Sequence, residues 1–138
     1  MSSVRKKDQS PHRFTPLDLL LDVYNHTSTV TDNKVFKEYP KLAEQINMYA
    51  AMAYHCSRSA NEDFDNRKKE EAEIRIQLQK KTIENCLWLK SSIRLAQKKF
   101  HLREKKCTYW TGLVNKALES VKAWNAAEKR TYKENYGL

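Results

Sequence analysis

In the stretch WLKSSIRLAQKKFHLREKKCTYWTGL, Trp88–Leu113, two helical patterns meet at one corner. Around that corner stand Lys98, Lys99, Arg103, Lys105 and Lys106 against a lone Glu104. Such a corner repels itself, so either counter-ions screen it or a polyanion occupies it. Upstream, apolar spacing predicts a long helix from about Lys69 to Lys99, with Ile76, Ile83, Leu87 and Ile93 on its buried side. Leu78, Trp88, Leu89 and Leu95 widen its apolar surface beyond one stripe, which points to a second buried face. Downstream, Trp110, Leu113, Ala117, Val121 and Trp124 form the seam of a helix from about Arg103 to Arg130. Gly112 falls inside that helix, where close backbone packing beside Trp110 would account for it.

Two further helices precede this pair. Thr15-Pro16 reads as an N-cap and first helical residue, followed by Leu17, Leu20, Leu21 and Tyr24 at helical spacing. This first helix is expected to stop near His26, because TSTVTDN is β-branched and turn-like. A second starts near Pro40, with Leu42, Ile46, Tyr49, Ala53 and Cys56 as its seam, and SANEDFDNR breaks it as an exposed acidic loop. Residues 1–13 are polar, basic and without periodicity, and read as a flexible arm. The tail 132–138 is expected to fray. With scarce glycine and proline, the chain predicts an all-α fold: an antiparallel four-helix bundle over residues 14–131.

The 138 residues carry a net charge of +9, unevenly spread. Residues 1–74 hold 11 basic and 12 acidic side chains, and residues 75–138 hold 15 and 5. The whole excess therefore sits in the second part, a sign of a polyanion-facing surface or of a well-solvated bundle exterior. No run reaches the roughly 18 to 20 apolar residues of a membrane span, and no apolar signal segment is present, so a cytoplasmic location is expected. Cys56, Cys86 and Cys107 are odd in number and widely spaced, and read as buried free thiols.

Catalytic constellations are missing. There is no glycine-rich phosphate loop, no G-x-S-x-G elbow, no H-E-x-x-H and no paired zinc ligands, so no cofactor or metal is expected. His55-Cys56 is a poor dyad, since neighbours along a helix point about 100° apart. Glu70, Glu71 and Glu73 suit the positive end of a helix better than a carboxylate metal site. The constellation that remains is basic. Lys90, Arg94 and Lys98 recur every four residues, Lys99, His101, Arg103, Lys105 and Lys106 follow at the corner, and Lys116 and Lys122 lie beyond it. Any one of these lysines is explained by a solvated exterior. The set, with few acids over Arg75–Lys106, favours phosphate contacts that hold a nucleic acid without reading its sequence.

The layout TPLDLLLDVYNHT, LAEQINMYAAMAYHCSRSA and LWLKSSIRLAQKKFHLREKKCTYWTGLVNKALESVKAW resembles a small four-helix-bundle family of bacteria and phages. That family includes the accessory variability determinant of diversity-generating retroelements and the proteins encoded in 23S rRNA intervening sequences. The likeness rests on Arg94-Leu95-Ala96 at the end of the third helix, and on Tyr109 and Trp124 in the fourth. Ala123, where the family often has glycine, and the basic arm depart from it. The resemblance implies a homopentameric barrel and a non-catalytic accessory protein. Its partners would be a reverse transcriptase and its template RNA, or an RNA/DNA hybrid, during mutagenic cDNA synthesis. Lys90 and Arg94 inherit the nucleic-acid role most directly. The alternative is a structural protein of the intervening-sequence type with no retroelement role.

Overall fold

A computed structural model describes residues 14–138, and all its regular structure is helical: α1 Thr15–Thr31, α2 Lys34–Lys37, α3 Pro40–Glu62, α4 Lys69–Phe100 and α5 Glu104–Tyr136. The predicted basic arm, residues 1–13, lies outside the described residues. Among the described residues no helix is long and apolar enough to cross a membrane.

The start of α1 corrects the expected cap. Phe14, not Thr15, is the N-cap, and no side chain caps the helix. Phe14 instead packs its ring edge-on against Trp124 at 4.8 Å, so an aromatic contact fixes the entry of the chain. Pro16 still sits in the first turn, where its missing N–H costs nothing. The end of α1 is a second correction, since the helix runs through the threonine-rich segment to Thr31. Those threonines bond within the helix: the Thr29 hydroxyl donates to Asn25 O at 3.0 Å and the Thr31 hydroxyl to Thr27 O at 2.9 Å. Thr27 and Val30 are buried, so tertiary packing overrides weak propensity.

Asn33 then starts α2, a turn that the apolar periodicity did not reveal. Its side-chain oxygen accepts from Val35 N at 3.0 Å and Phe36 N at 3.4 Å, and the turn delivers Phe36 into the core. In α3, Ile46, Ala53 and Cys56 are buried, while Leu42 and Tyr49 pack half-buried against them. The helix extends to Glu62, past the expected break at Ser59, because Ser57 and Ala60 are buried and its last carbonyls find a donor on α4.

The main core joins Leu20, Val23, Phe36, Ile46, Leu89, Ile93, Trp110, Val114 and Val121. α1 lies against α3 and α5, and α4 lies against α3 and α5. All three cysteines are free and buried, and burial pushes the Cys86 thiol up to about 12, so it stays a protonated filler. Leu87 corrects the expected buried side of α4, being 47% exposed, whereas Leu89 is fully buried. The tail is also corrected. α5 continues to Tyr136 because Tyr132 is buried and the Tyr136 hydroxyl donates to Asn66 O at 2.8 Å. Gly137, at φ 72°, ends it in the left-handed region that glycine tolerates. Gly112 has no close neighbour: a Cβ there would meet nothing within 4 Å, so backbone packing does not explain it.

Candidate nucleic-acid interface

The corner forms because α4 stops at His101, which adopts φ 54° and ψ 44°. Its N–H and that of Leu102 both donate to Gln97 O, closing the last turn without a glycine. Lys98 and Lys99 sit in that last turn, where the helix dipole favours cations. Arg103 is the N-cap of α5, extended and without a side-chain cap bond, and Glu104 occupies the first turn. Lys105 and Lys106 follow Glu104 directly, against the dipole, so nothing about helix stability asks for them there.

Beyond the corner, α4 and α5 enclose a groove of about 690 Å³. Leu87, Lys90, Ser91, Ile93, Arg94 and Gln97 line it from α4, and Glu104, Cys107, Thr108, Thr111, Gly112 and Asn115 from α5. It offers two cations, three hydroxyls and two amides, with one carboxylate near its corner end. Lys90 and Arg94 share it because four residues are little more than one turn. The exposed Leu87 is the residue one turn before them and forms an apolar lip of the same groove.

The other predicted cations are not gathered into one patch. Lys99, nine residues after Lys90, is turned about half a circle away on the helix. Its ammonium lies 4.9 Å from the centre of the Tyr39 ring, a cation–π contact on the other flank of the corner. Lys106 stands towards α1, where burial first, and then the Lys106 charge, push the His26 imidazole down. Lys98, Arg103 and Lys105 are exposed at the corner itself. Among the described residues no ion pair joins Lys90, Arg94, Lys98, Lys99, Arg103, Lys105 or Lys106 to a carboxylate, whereas Arg67, Lys68 and Arg75 each have one and Arg58 has two.

A second cluster escaped the sequence reading. Glu128 of α5 accepts from Arg75 Nε at 3.1 Å, Arg75 Nη2 at 2.6 Å, Gln79 Nε2 at 3.0 Å, Trp124 Nε1 at 2.7 Å and the Tyr132 hydroxyl at 2.5 Å. Arg75 Nη1 also donates to Ala60 O at 2.6 Å and Phe64 O at 3.0 Å, satisfying one carbonyl in the last turn of α3 and one just beyond it. Burial pushes the Glu128 carboxyl up, but the bonds from Arg75 and Tyr132 and the guanidinium charge outweigh it and hold it low. Desolvation, then the bond to Glu128, pushes the Tyr132 phenol up to about 12. This network ties α3, α4 and α5 together. Among the described residues no three His, Cys, Asp or Glu side chains are grouped to hold a metal ion.

No protein-family model, curated protein or solved structure matches the chain.

Proposed function

We propose that the four long helices form an antiparallel bundle, that copies assemble into a ring, and that the protein is a non-catalytic accessory protein of a diversity-generating retroelement. In this reading the α4–α5 face holds RNA for a partner reverse transcriptase. The observation that carries the nucleic-acid role is the groove cation pair Lys90 and Arg94, which has no carboxylate partner among the described residues. Cations that serve the fold, as Arg75 does, are bonded to carboxylates and carbonyls. Cations left facing a groove lined with hydroxyls and amides suit phosphate oxygens. The bundle reading is supported by paired contacts such as Phe14–Trp124 with His26–Trp110, and Tyr49–Trp88 with Ala60–Arg75. In each pair the early part of one helix meets the late part of its neighbour.

Binding to single-stranded or hybrid nucleic acid is expected to fall steeply with salt, because phosphate contacts release counter-ions. In a filter-binding titration, Lys90→Gln/Arg94→Gln should bind more weakly, with a salt slope flatter by roughly one unit per lost contact. Its melting temperature should stay close to that of the unsubstituted protein, since Arg94 is exposed, Lys90 only half-buried, and neither is held in an ion pair among the described residues. Equal affinity and equal slope would overturn the nucleic-acid reading and leave the intervening-sequence type of structural protein.

The ring reading rests on the outer side of α4, where Trp88 is 59% and Leu95 54% exposed, with Met48 and Met52 exposed on α3. Trp88 stacks on Tyr49 at 6.5 Å, so this apolar surface spans two helices. Light scattering should return a mass several times the 16.3 kDa of one chain, and a monomer mass would sink the ring.

A further inference from the structure

Tyr109 is the most exposed large hydrophobic side chain among the described residues, at 62%. It lies in the second turn of α5, where nothing in the core requires an aromatic ring. One contact steadies it: the His26 ring meets it edge-on, with centroids 5.0 Å apart and planes at 73°. His26 is itself wedged against Trp110 at 6.4 Å, so the tyrosine stands on the core rather than on a loose surface.

Its neighbours along the helix are cationic. Lys105, Tyr109, Gly112 and Lys116 follow one another at spacings of four, three and four, so they form one line on the surface of α5. Lys106, three residues before Tyr109, flanks that line on the α1 side. No carboxylate occupies any of these positions. Gly112 links the line to the groove described above. It lines that groove, and the space where its side chain would stand is open. A chain lying over Lys90 and Arg94 can therefore cross α5 at Gly112 without meeting a side chain there.

We propose that Tyr109 is a stacking platform for a base of a single-stranded nucleic acid, whose phosphates run between the Lys90/Arg94 groove and the Lys105, Lys106 and Lys116 cations. This deepens the nucleic-acid reading and rests on it. An exposed aromatic ring between cations supplies the two interactions that hold a single strand, stacking on a π-face and attraction to the backbone. A duplex keeps its base faces inside its own stack, so it can use the cations but not the ring. The structure thus selects single-stranded over double-stranded ligands.

The test uses the full chain and two fluorescently labelled probes at one salt concentration, a 12-nucleotide single-stranded RNA and the duplex of the same sequence. Anisotropy should show the single strand bound more tightly. Tyr109→Ala should weaken the single strand by roughly 5- to 100-fold and leave the duplex unchanged, as loss of one stacked base predicts. Tyr109→Phe keeps the π-face and should restore binding, which separates stacking from any loss of folding in the alanine variant. With 2-aminopurine in the single strand, binding should quench its emission for the parent and Tyr109→Phe but not for Tyr109→Ala. If Tyr109→Ala binds the single strand as tightly as the parent while Lys90→Gln/Arg94→Gln does not, stacking is overturned and the groove reading stands. Preference for the duplex would also overturn it. If the parent binds neither probe, both readings fall together.

Discussion

Replacing Glu128 with alanine is expected to destabilise the protein by about 3–5 kcal/mol, the usual cost of removing one partner from a buried charge pair. Arg75 would be left almost fully buried, with its guanidinium facing the end of α3 but without a counter-charge. The Trp124 indole N–H, the Gln79 amide and the Tyr132 hydroxyl would lose their shared acceptor at the same time. The change should appear as a lower midpoint in chemical denaturation at constant m-value. Removing both charges with Arg75→Met/Glu128→Leu should recover part of the loss. It should not recover all of it, because Ala60 O and Phe64 O lose the donor that Arg75 provides. The same network predicts two limits in pH. The Glu128 carboxyl is held below the ordinary value of 4.5, so its contribution is full above that value and fades as pH falls through the depressed folded value. The Tyr132 phenol is raised from 10.0 to about 12, so the neutral form is favoured on folding. Its contribution is full below pH 10 and is lost as pH rises towards 12. The Glu128→Ala variant should lack the acid-side dependence that Glu128 contributes.

The reach of the sequence differs from element to element for physical reasons. The two longest helices were legible because their apolar seams persist over many turns. The Lys69 start of α4 and the seam from Trp110 to Val121 match the structure closely. The helix ends were less legible. Thr27 and Thr31 look like turn residues, yet the Thr31 hydroxyl donates to the Thr27 carbonyl inside α1, and burial of Val30 favours one more turn. Asn33 was read only as part of a turn, although an asparagine just before Val35-Phe36 is a capping signal for the short α2. The tail failed for a related reason: its anchors after Arg130 are Tyr132 and Tyr136, whose partners Arg75 and Asn66 are distant in sequence. A count of charges gives Arg75 and Gln79 no mark of burial. Their spacing relative to Ala72, Thr82 and Cys86 puts polar groups on a core-facing line, and that is the signal for a buried network. In the candidate interface, the four-residue spacing of Lys90 and Arg94 was enough to place them together. Counting charges around the corner does not separate Lys99, whereas helical spacing does: nine residues from Lys90 is about half a circle, and only its Tyr39 partner comes from a distant segment.

Trp110→Ala is expected to cost about 3–5 kcal/mol, since the ring is fully buried at the meeting of three helices and its removal leaves a large cavity. Its ring lies edge-on to Phe36 and His26 at 6.4 Å each, and Phe36 in turn meets Phe100 at 5.2 Å. Loss of the indole should therefore loosen α2 and the α4 corner as well as α5. Size is only part of the effect. The indole N–H donates to Thr27 Oγ1 at 3.0 Å, and Thr27 is fully buried. Trp110→Phe keeps most of the apolar volume but abandons that hydroxyl, so it should cost less than alanine while still leaving one buried polar group without its donor. Adding Thr27→Val to Trp110→Phe removes the stranded hydroxyl, and the pair should be more stable than the sum of the single changes predicts. Denaturation of the four proteins measures this coupling directly. A coupling of zero would mean that Thr27 finds another partner within α1, and that Trp110 acts through packing alone.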